Sequence, residues 1–246
     1  MRLKGRTAVI TGGSRGLGRA IAQRYLDEGA NVVCAARSPH ELHTMIAQFP
    51  DQAEFQPVDV TDPDSVAGVM RYTADRFGGL DIVVANAGVN HDGKIDRIDP
   101  AAWRAMVDTN LNGVFYSVQA AARQMLAQGS GAIVTVSSCM SSRVAIGAAG
   151  YSATKAAVEQ FTRTAAIELG RKGIRVNCLA PGILEEGMGR EVATNPKLWA
   201  AYQSRISLGR AGRLDEAADA AVYLVADGSS YVNGHVLEVN GGLLWA

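Results

Sequence analysis

The sequence is poor in cysteine: Cys34, Cys139 and Cys178 are its only three, too few and too scattered for a disulfide framework or a zinc site. It also lacks an excess of charge of either sign. Its 24 basic and 24 acidic residues balance, which removes the global field that draws nucleic acid and leaves room only for small local anion sites. No apolar run approaches the ~20 residues that span a bilayer. Met1-Arg2-Leu3-Lys4-Gly5-Arg6 runs straight into a strand-like stretch without the apolar core of a signal peptide. A soluble, cytoplasmic protein with no nucleic-acid or membrane partner is expected. Low-complexity tracts are missing too, and 48% hydrophobic content over 246 residues is enough for one large core, so 1–246 is expected to be a single domain.

What is present is a rhythm of short β-rich runs and longer helical patterns. Strand signals cover 7–10, 31–35, 53–57, 81–85, 132–136, 174–179 and 234–239, and amphipathic stretches include 19–28, 65–77, 103–126 and 153–169. Such alternation builds βαβ units. The expected architecture is α/β, a doubly wound Rossmann fold whose seven-stranded parallel sheet carries helices on both faces. One stretch breaks the rhythm: residues 183–205 lack a persistent apolar period and contain Gly187, Gly189, Asn195 and Pro196. A long connection leaving the carboxyl end of a strand, where ligands bind in open α/β sheets, is expected to be a substrate lid; an extra helix pair packed for stability is the alternative.

Thr11-Gly12-Gly13-Ser14-Arg15-Gly16-Leu17-Gly18 follows the first strand and opens the first helix. Glycines let a backbone approach a pyrophosphate closely, and unpaired amides with the helix dipole stabilise its charge. The spacing is GxxxGxG, not the more familiar GxGxxG. About 20 residues further on, NAD-selective sites place a carboxylate on the ribose 2′-hydroxyl. Here the chain reads Ala35-Ala36-Arg37-Ser38, without an acid. The planar guanidinium of Arg37 suits a 2′-phosphate, and Arg15 adds a second cation, so NADP(H) is expected over NAD(H). A solvated Arg37 at a helix start is the plain alternative.

Tyr151 and Lys155 stand four residues apart, which on a helix places the ammonium beside the phenol and is expected to make that phenol more acidic. A phenol so tuned exchanges a proton with an alcohol or carbonyl oxygen. Ser138 lies thirteen positions before Tyr151, at the end of the apolar run 132–136, where its hydroxyl can reach the same oxygen. A lone YxxxK is more often a solvated helix face; the other motifs shift that weight.

Together, the glycine loop, Ser138 and Tyr151-Ser152-Ala153-Thr154-Lys155 resemble the short-chain dehydrogenase/reductase family over nearly the whole chain. The resemblance takes in Asp59-Val60 after the third strand, Asn86-Ala87-Gly88 after the fourth, Asn110 within a long helix and Pro181-Gly182 after the sixth. It implies that Tyr151 is the general acid or base and that Lys155 holds the nicotinamide ribose and lowers the tyrosine pKa. Ser138 would position the substrate oxygen, and Asn110 would anchor a water in a relay through Lys155. The cofactor would lie along Gly12, Ser14, Arg15, Gly16, Leu17 and Gly18, with Arg37 and Ser38 at its 2′-position. Asp59 and Val60 would border the adenine, Asn86, Ala87 and Gly88 the next ribose, and Pro181, Gly182 and Ile183 the nicotinamide.

The match departs in the lid, where Glu186 stands in place of the threonine of many relatives. Within the family the chain looks most like bacterial reductases of the 3-oxoacyl-carrier-protein type and their small-molecule relatives. Carrier-protein reductases present basic residues near the end of the fourth long helix; here 124–131 holds no cation, while Arg171 and Lys172 keep some positive charge elsewhere. A small carbonyl or alcohol is the first expectation for the substrate and an acyl carrier protein the second. A homotetramer packed through the helices at 103–126 and 153–169 is also implied. The reading from another class, a nucleotide-binding sensor without turnover, is weakened because Asn110, Ser138, Tyr151 and Lys155 are all present. Arg143 is a candidate for an anionic substrate, or else a surface or subunit-interface cation.

Overall fold

The computed structural model describes residues 1–40 and 42–243. Its strands lie at Thr7–Thr11 (β1), Asn31–Ala36 (β2), Ala53–Pro57 (β3), Ile82–Ala85 (β4), Gly131–Val136 (β5), Ile174–Pro181 (β6) and Val236–Val239 (β7). All pair in parallel in the order β3-β2-β1-β4-β5-β6-β7, so the doubly wound expectation holds, with the strand order reversing between β1 and β4. Successive side chains of the inner strands enter opposite cores. In β1, Ala8 and Ile10 join one cluster with Ile21, Leu26 and Val222, whereas Val9 joins another with Val69, Val118 and Val158. Burial on both faces is why these strands read as unbroken apolar runs.

The helices follow from local signals. Helix α1 (Gly16–Asp27) and α2 (Leu42–Gln48) are followed by α3 (Pro63–Phe77), which starts where the Asp62 side chain accepts from the Asp64 amide and stops at Gly78, φ +81. Next come α4 (Pro100–Val107) and α5 (Gly113–Gln128), joined by a π-helical turn at Asp108–Asn112, so the helical stretch expected at 103–126 is interrupted once. Helix α6 (Ala149–Gly170) packs on β6. Residues 183–205 are more regular than their sequence suggests. They hold a 3₁₀ turn at Gly187–Gly189 and two helices, α7 (Arg190–Thr194) and α8 (Pro196–Gln203), in neither of which a residue is fully buried. Helix α9 (Leu214–Val225) returns beside α1. Among the described residues no helix is long and apolar enough to cross a membrane. None of their His, Cys, Asp and Glu groups is placed to hold a metal ion.

Candidate active site

The carboxyl ends of β1, β4, β5 and β6 meet at the point where the strand order reverses. Beyond β1, a Cβ on Gly12 would stand 2.9 Å from Asn86 Nδ2, and one on Gly18 would overlap the Gly12 carbonyl. Only glycine lets the loop close onto α1 in this way. Asn86 braces it from β4: its Nδ2 donates to the carbonyls of Thr11 at 2.9 Å and Gly12 at 3.3 Å. In return Thr11 Oγ1 accepts from the amides of Asn86 and Ala87 at 3.0 and 3.2 Å. Arg15 precedes α1 in extended conformation and makes no side-chain cap, so the first helical amides keep their donor capacity for an anion. A narrow glycine cradle, an uncapped helix start and exposed Arg15 together fit the pyrophosphate of a dinucleotide. Ser14, Arg15 and Gly16 line a cavity of about 540 Å³ that also reaches His40 and Glu186.

Arg37 and Ser38 lie exposed past the end of β2. The Ser38 hydroxyl is 3.1 Å from His40 Nε2. Asp59 accepts from the amide and hydroxyl of Thr61 at 2.9 and 2.8 Å; these bonds, and to a lesser extent the charge of Arg37, hold its carboxyl below the usual range. Asp59 and Arg37 therefore border one region, next to buried Val60. The adenine end of a dinucleotide fits there.

Ser138 caps a short 3₁₀ turn at Cys139–Ser141 and accepts from the Met140 amide at 3.2 Å. Tyr151 and Lys155 share a face of α6, as their spacing requires. The acidity of the pair differs from expectation. Burial pushes the Tyr151 phenol up to about 12, with only a hydrogen bond from Ser138 working the other way. Lys155 is not among the groups that lower it. The lysine Nζ lies 5.5 Å from the tyrosine ring centroid, and its hydrogen bond goes to the Val136 carbonyl at 2.8 Å. Burial in turn brings the Lys155 ammonium down to about 8. Desolvation is the largest cause for both groups.

Asn110 sits in the π-helical turn and is fully buried. Its Oδ1 accepts from the Val89 amide at 2.8 Å, and its Nδ2 donates to the Val89 carbonyl at 2.8 Å and to Thr154 Oγ1 at 3.3 Å. The amide thus pins the loop after β4 to the helix that carries Tyr151. A Cβ on Gly88 would come within 3.3 Å of Asn110 Oδ1 and 3.7 Å of Lys155 Nζ, so Gly88 is what allows that loop to lie against both.

Pro181 ends β6, the Gly182 amide donates to the Val239 carbonyl at 2.9 Å, and the Ile183 carbonyl accepts from Gly212 at 3.0 Å. Gly187 then approaches the glycine loop, 3.7 Å from where a Cβ on Gly16 would lie. Glu186 is exposed beside that loop. Arg143 corrects an expectation. Its side chain is nearly buried, pairs with Glu238 at 2.7 Å and donates to the Leu243 carbonyl at 3.2 and 3.0 Å, which makes it a tie between the serine loop and the chain after β7. A freely solvated surface role does not describe that geometry. Beside it, a second cavity of about 540 Å³ opens between 93–96 and 143–147, walled by Ile95, Val144 and Ile146. Glu159, one turn past Lys155 on α6, also reaches the serine loop. Extending the Tyr151/Lys155 spacing by one more turn would have singled it out.

Comparison with known proteins agrees with this geometry. A family model described as enoyl-(acyl carrier protein) reductase matches residues 12–244. The chain is 35% identical over 245 residues to the 3-oxoacyl-[acyl-carrier-protein] reductase FabG of Chlamydia trachomatis, with 98% of each covered. It is 34% identical over 243 residues to that of Escherichia coli, with 99% of each covered. Among solved structures it matches a gluconate 5-dehydrogenase from Burkholderia cenocepacia in complex with NADP and tartrate, at TM-score 0.93 and 36% identity over 98% of this chain and 96% of that one. A short-chain type dehydrogenase/reductase from Mycobacterium ulcerans gives TM-score 0.95 and 31% identity over 99% and 91%. Fold, glycine cradle and likeness define the class, a dinucleotide-dependent oxidoreductase working between CH–OH and C=O groups. Within that class the chain belongs to the short-chain dehydrogenase/reductase family.

Proposed function

We propose that the protein is an NADP(H)-dependent enzyme that reduces a small carbonyl compound, or oxidises the matching secondary alcohol, with Tyr151 as the general acid or base. The observation that carries this reading is the largely enclosed phenol of Tyr151, set beside the Ser138 hydroxyl and with the Lys155 ammonium 5.5 Å from its ring centroid. When bound, the nicotinamide supplies or takes up the hydride. In reduction the phenol gives its proton to the carbonyl oxygen, while the Ser138 hydroxyl donates to the same oxygen and stabilises its growing charge.

Lys155 would hold the nicotinamide ribose and Asn110 would position the loop and helix around it; a water held at Asn110 in a relay through Lys155 belongs to the same reading. The cradle at Gly12, Ser14, Gly16, Leu17 and Gly18 would take the pyrophosphate. Arg15, Arg37 and Ser38 would meet the 2′-phosphate, Asp59 and Val60 the adenine, Asn86 to Gly88 the adjoining ribose, and Pro181 to Ile183 the nicotinamide. Residues 183–205 would act as a lid on the single catalytic domain, a reading supported by the approach of Gly187 to Gly16. Three buried free thiols suit a reducing cytoplasm. Homotetramer assembly is part of the same reading.

A second reading, reduction of an acyl thioester on a carrier protein, draws support from the names of the curated relatives and from Arg171 and Lys172. Both are exposed on the turn where Gly173 packs against Gly129. The test is NADPH oxidation over acetoacetyl-CoA, acetoacetyl-carrier protein, ketones, quinones and keto sugars, with NADP⁺ reduction over the matching alcohols. Turnover in any arm that Tyr151→Phe abolishes supports the first reading. Preference for the carrier-bound thioester over acetoacetyl-CoA supports the second. No turnover in any arm would favour the non-catalytic alternative.

A further inference from the structure

We propose that Glu159 is a positioning residue of the active site, its carboxylate fixing the turn that presents the Ser138 hydroxyl to Tyr151. The inference rests on the assignment of Ser138 and Tyr151 above. Tyr151, Lys155 and Glu159 form one stripe of α6 at successive helical turns, and the loop from Val136 to Ser141 lies along that stripe. Lys155 holds the start of the loop through the Val136 carbonyl at 2.8 Å. Glu159 holds the next two points: its Oε1 accepts from Ser137 Oγ at 3.0 Å and from Ser141 Oγ.

These two serines bracket the turn. Ser137 precedes Ser138 directly, and the Ser141 amide donates to the Ser138 carbonyl at 3.0 Å. The Ser137 hydroxyl also reaches the Lys155 carbonyl at 3.1 Å, so its one proton is shared between the helix backbone and the carboxylate. The backbone on either side of Ser138 is therefore tied through Glu159 to the helix that carries Tyr151. Among the described residues the carboxylate also pairs with Arg163, at 3.5 Å. That contact is a half-exposed pair one turn along the helix, of a kind that contributes little, so the serine bonds are what account for the placement of the nearly buried carboxylate. Hydrogen bonds to an ionised acceptor are the stronger kind, and here both donors are neutral hydroxyls with fixed backbones.

The test uses the full chain and four variants, Glu159→Ala, Glu159→Gln, Ser141→Ala and Tyr151→Phe. Single-turnover oxidation of bound NADPH by saturating acetoacetyl-CoA is measured beside NADPH affinity and melting temperature. The ¹³Cζ resonance of Tyr151, assigned with Tyr151→Phe, reports the phenol directly. Glu159→Ala is expected to slow the single turnover by ~10-fold or more, as sub-ångström misplacement of a catalytic group does, and to move the Tyr151 resonance while NADPH affinity holds. Glu159→Gln, whose amide oxygen can accept the same two bonds, should recover much of the loss, and Ser141→Ala should fall between. An unchanged Tyr151 resonance in Glu159→Ala overturns the proposal. So does a rate that falls only in step with NADPH affinity and melting temperature, with Gln no better than Ala. If Tyr151→Phe turns over normally, the assignment of Tyr151 falls instead, and the resonance of the wild-type phenol still decides whether Glu159 sets its surroundings.

Discussion

Tyr151 and Lys155 are one helical turn apart, and burial moves their titrations toward the neutral form in both cases: the phenol up to about 12, the ammonium down to about 8. For the lysine the consequence for stability has a definite sign. Its folded value lies below its ordinary 10.5, so between about 8 and 10.5 the unfolded chain binds more protons and stability rises with pH; below about 8 the whole cost is present. A shift of this size corresponds to about 3 kcal/mol. Lys155→Met should therefore gain on wild type in urea unfolding at pH 7, and the gap should close between pH 8 and 10.5; a gap that does not change with pH would contradict the buried charge. Tyr151→Phe is expected to cut kcat by at least ~100-fold with NADPH binding nearly intact, because it removes a proton donor and keeps the ring. Cofactor choice also belongs to single residues. Arg37 can add a charge-assisted bond to a 2′-phosphate, about 1.5 to 3 kcal/mol, so Arg37→Asp should erase or reverse the preference for NADPH over NADH in Kd measurements. Equal wild-type affinities would show that Arg37 is not the selector.

At the scale of elements, the sheet was legible because its inner strands β1, β2, β4, β5 and β6 are buried on both faces and stand out as apolar runs; β5 closes with Val136, two residues before the hydroxyl of Ser138. The helices were less even. Helix α9 was not singled out, although its buried face of Ala218, Ala221, Val222 and Val225 joins the same core cluster as Ile21 and Leu26 of α1. In α8 the signals were misread. Asn195 and Pro196 look like loop punctuation, yet Asn195 Oδ1 accepts from the Lys197 and Leu198 amides at 3.0 and 3.3 Å and Pro196 takes the first helical position. The candidate site was legible wherever a motif is local, as at the glycine loop and Tyr151/Lys155. Ties that bridge distant parts of the chain, Arg143 to Leu243 or Ser141 to Glu159, leave no local pattern. The glycine cradle gives a test at this scale. Gly18→Ala would drive a methyl into the Gly12 carbonyl, separating α1 from the loop, and should weaken NADPH binding by at least ~10-fold with a lower melting temperature. An alanine variant that binds NADPH normally would mean the loop has slack that the geometry does not show.

At the scale of the whole molecule, the loops that carry the chemistry leave the carboxyl ends of the strands, while the outer faces of α4, α5 and α6 present partly exposed apolar side chains. Ile167 is 82% exposed, and Phe115 and Leu126 are each 41% exposed. Phe115 meets Phe161 edge to face at 6.2 Å, so the aromatic pair spans α5 and α6 on this outer side. A long two-helix face with an aromatic centre is suited to a twofold contact, in which each copy supplies the same patch to the other. The α6 side of such a contact is the helix that holds Tyr151, Lys155 and Glu159, so assembly would also stiffen the site. Wild type is expected to scatter light at micromolar concentration as four times the 25.9 kDa of one chain. Ile167→Glu and Phe115→Glu place a charge where two copies would meet and should lower that mass, with turnover falling as the assembly dissociates. A wild-type mass of a single chain, or variants that keep the full mass, would show that this face is not where the copies join.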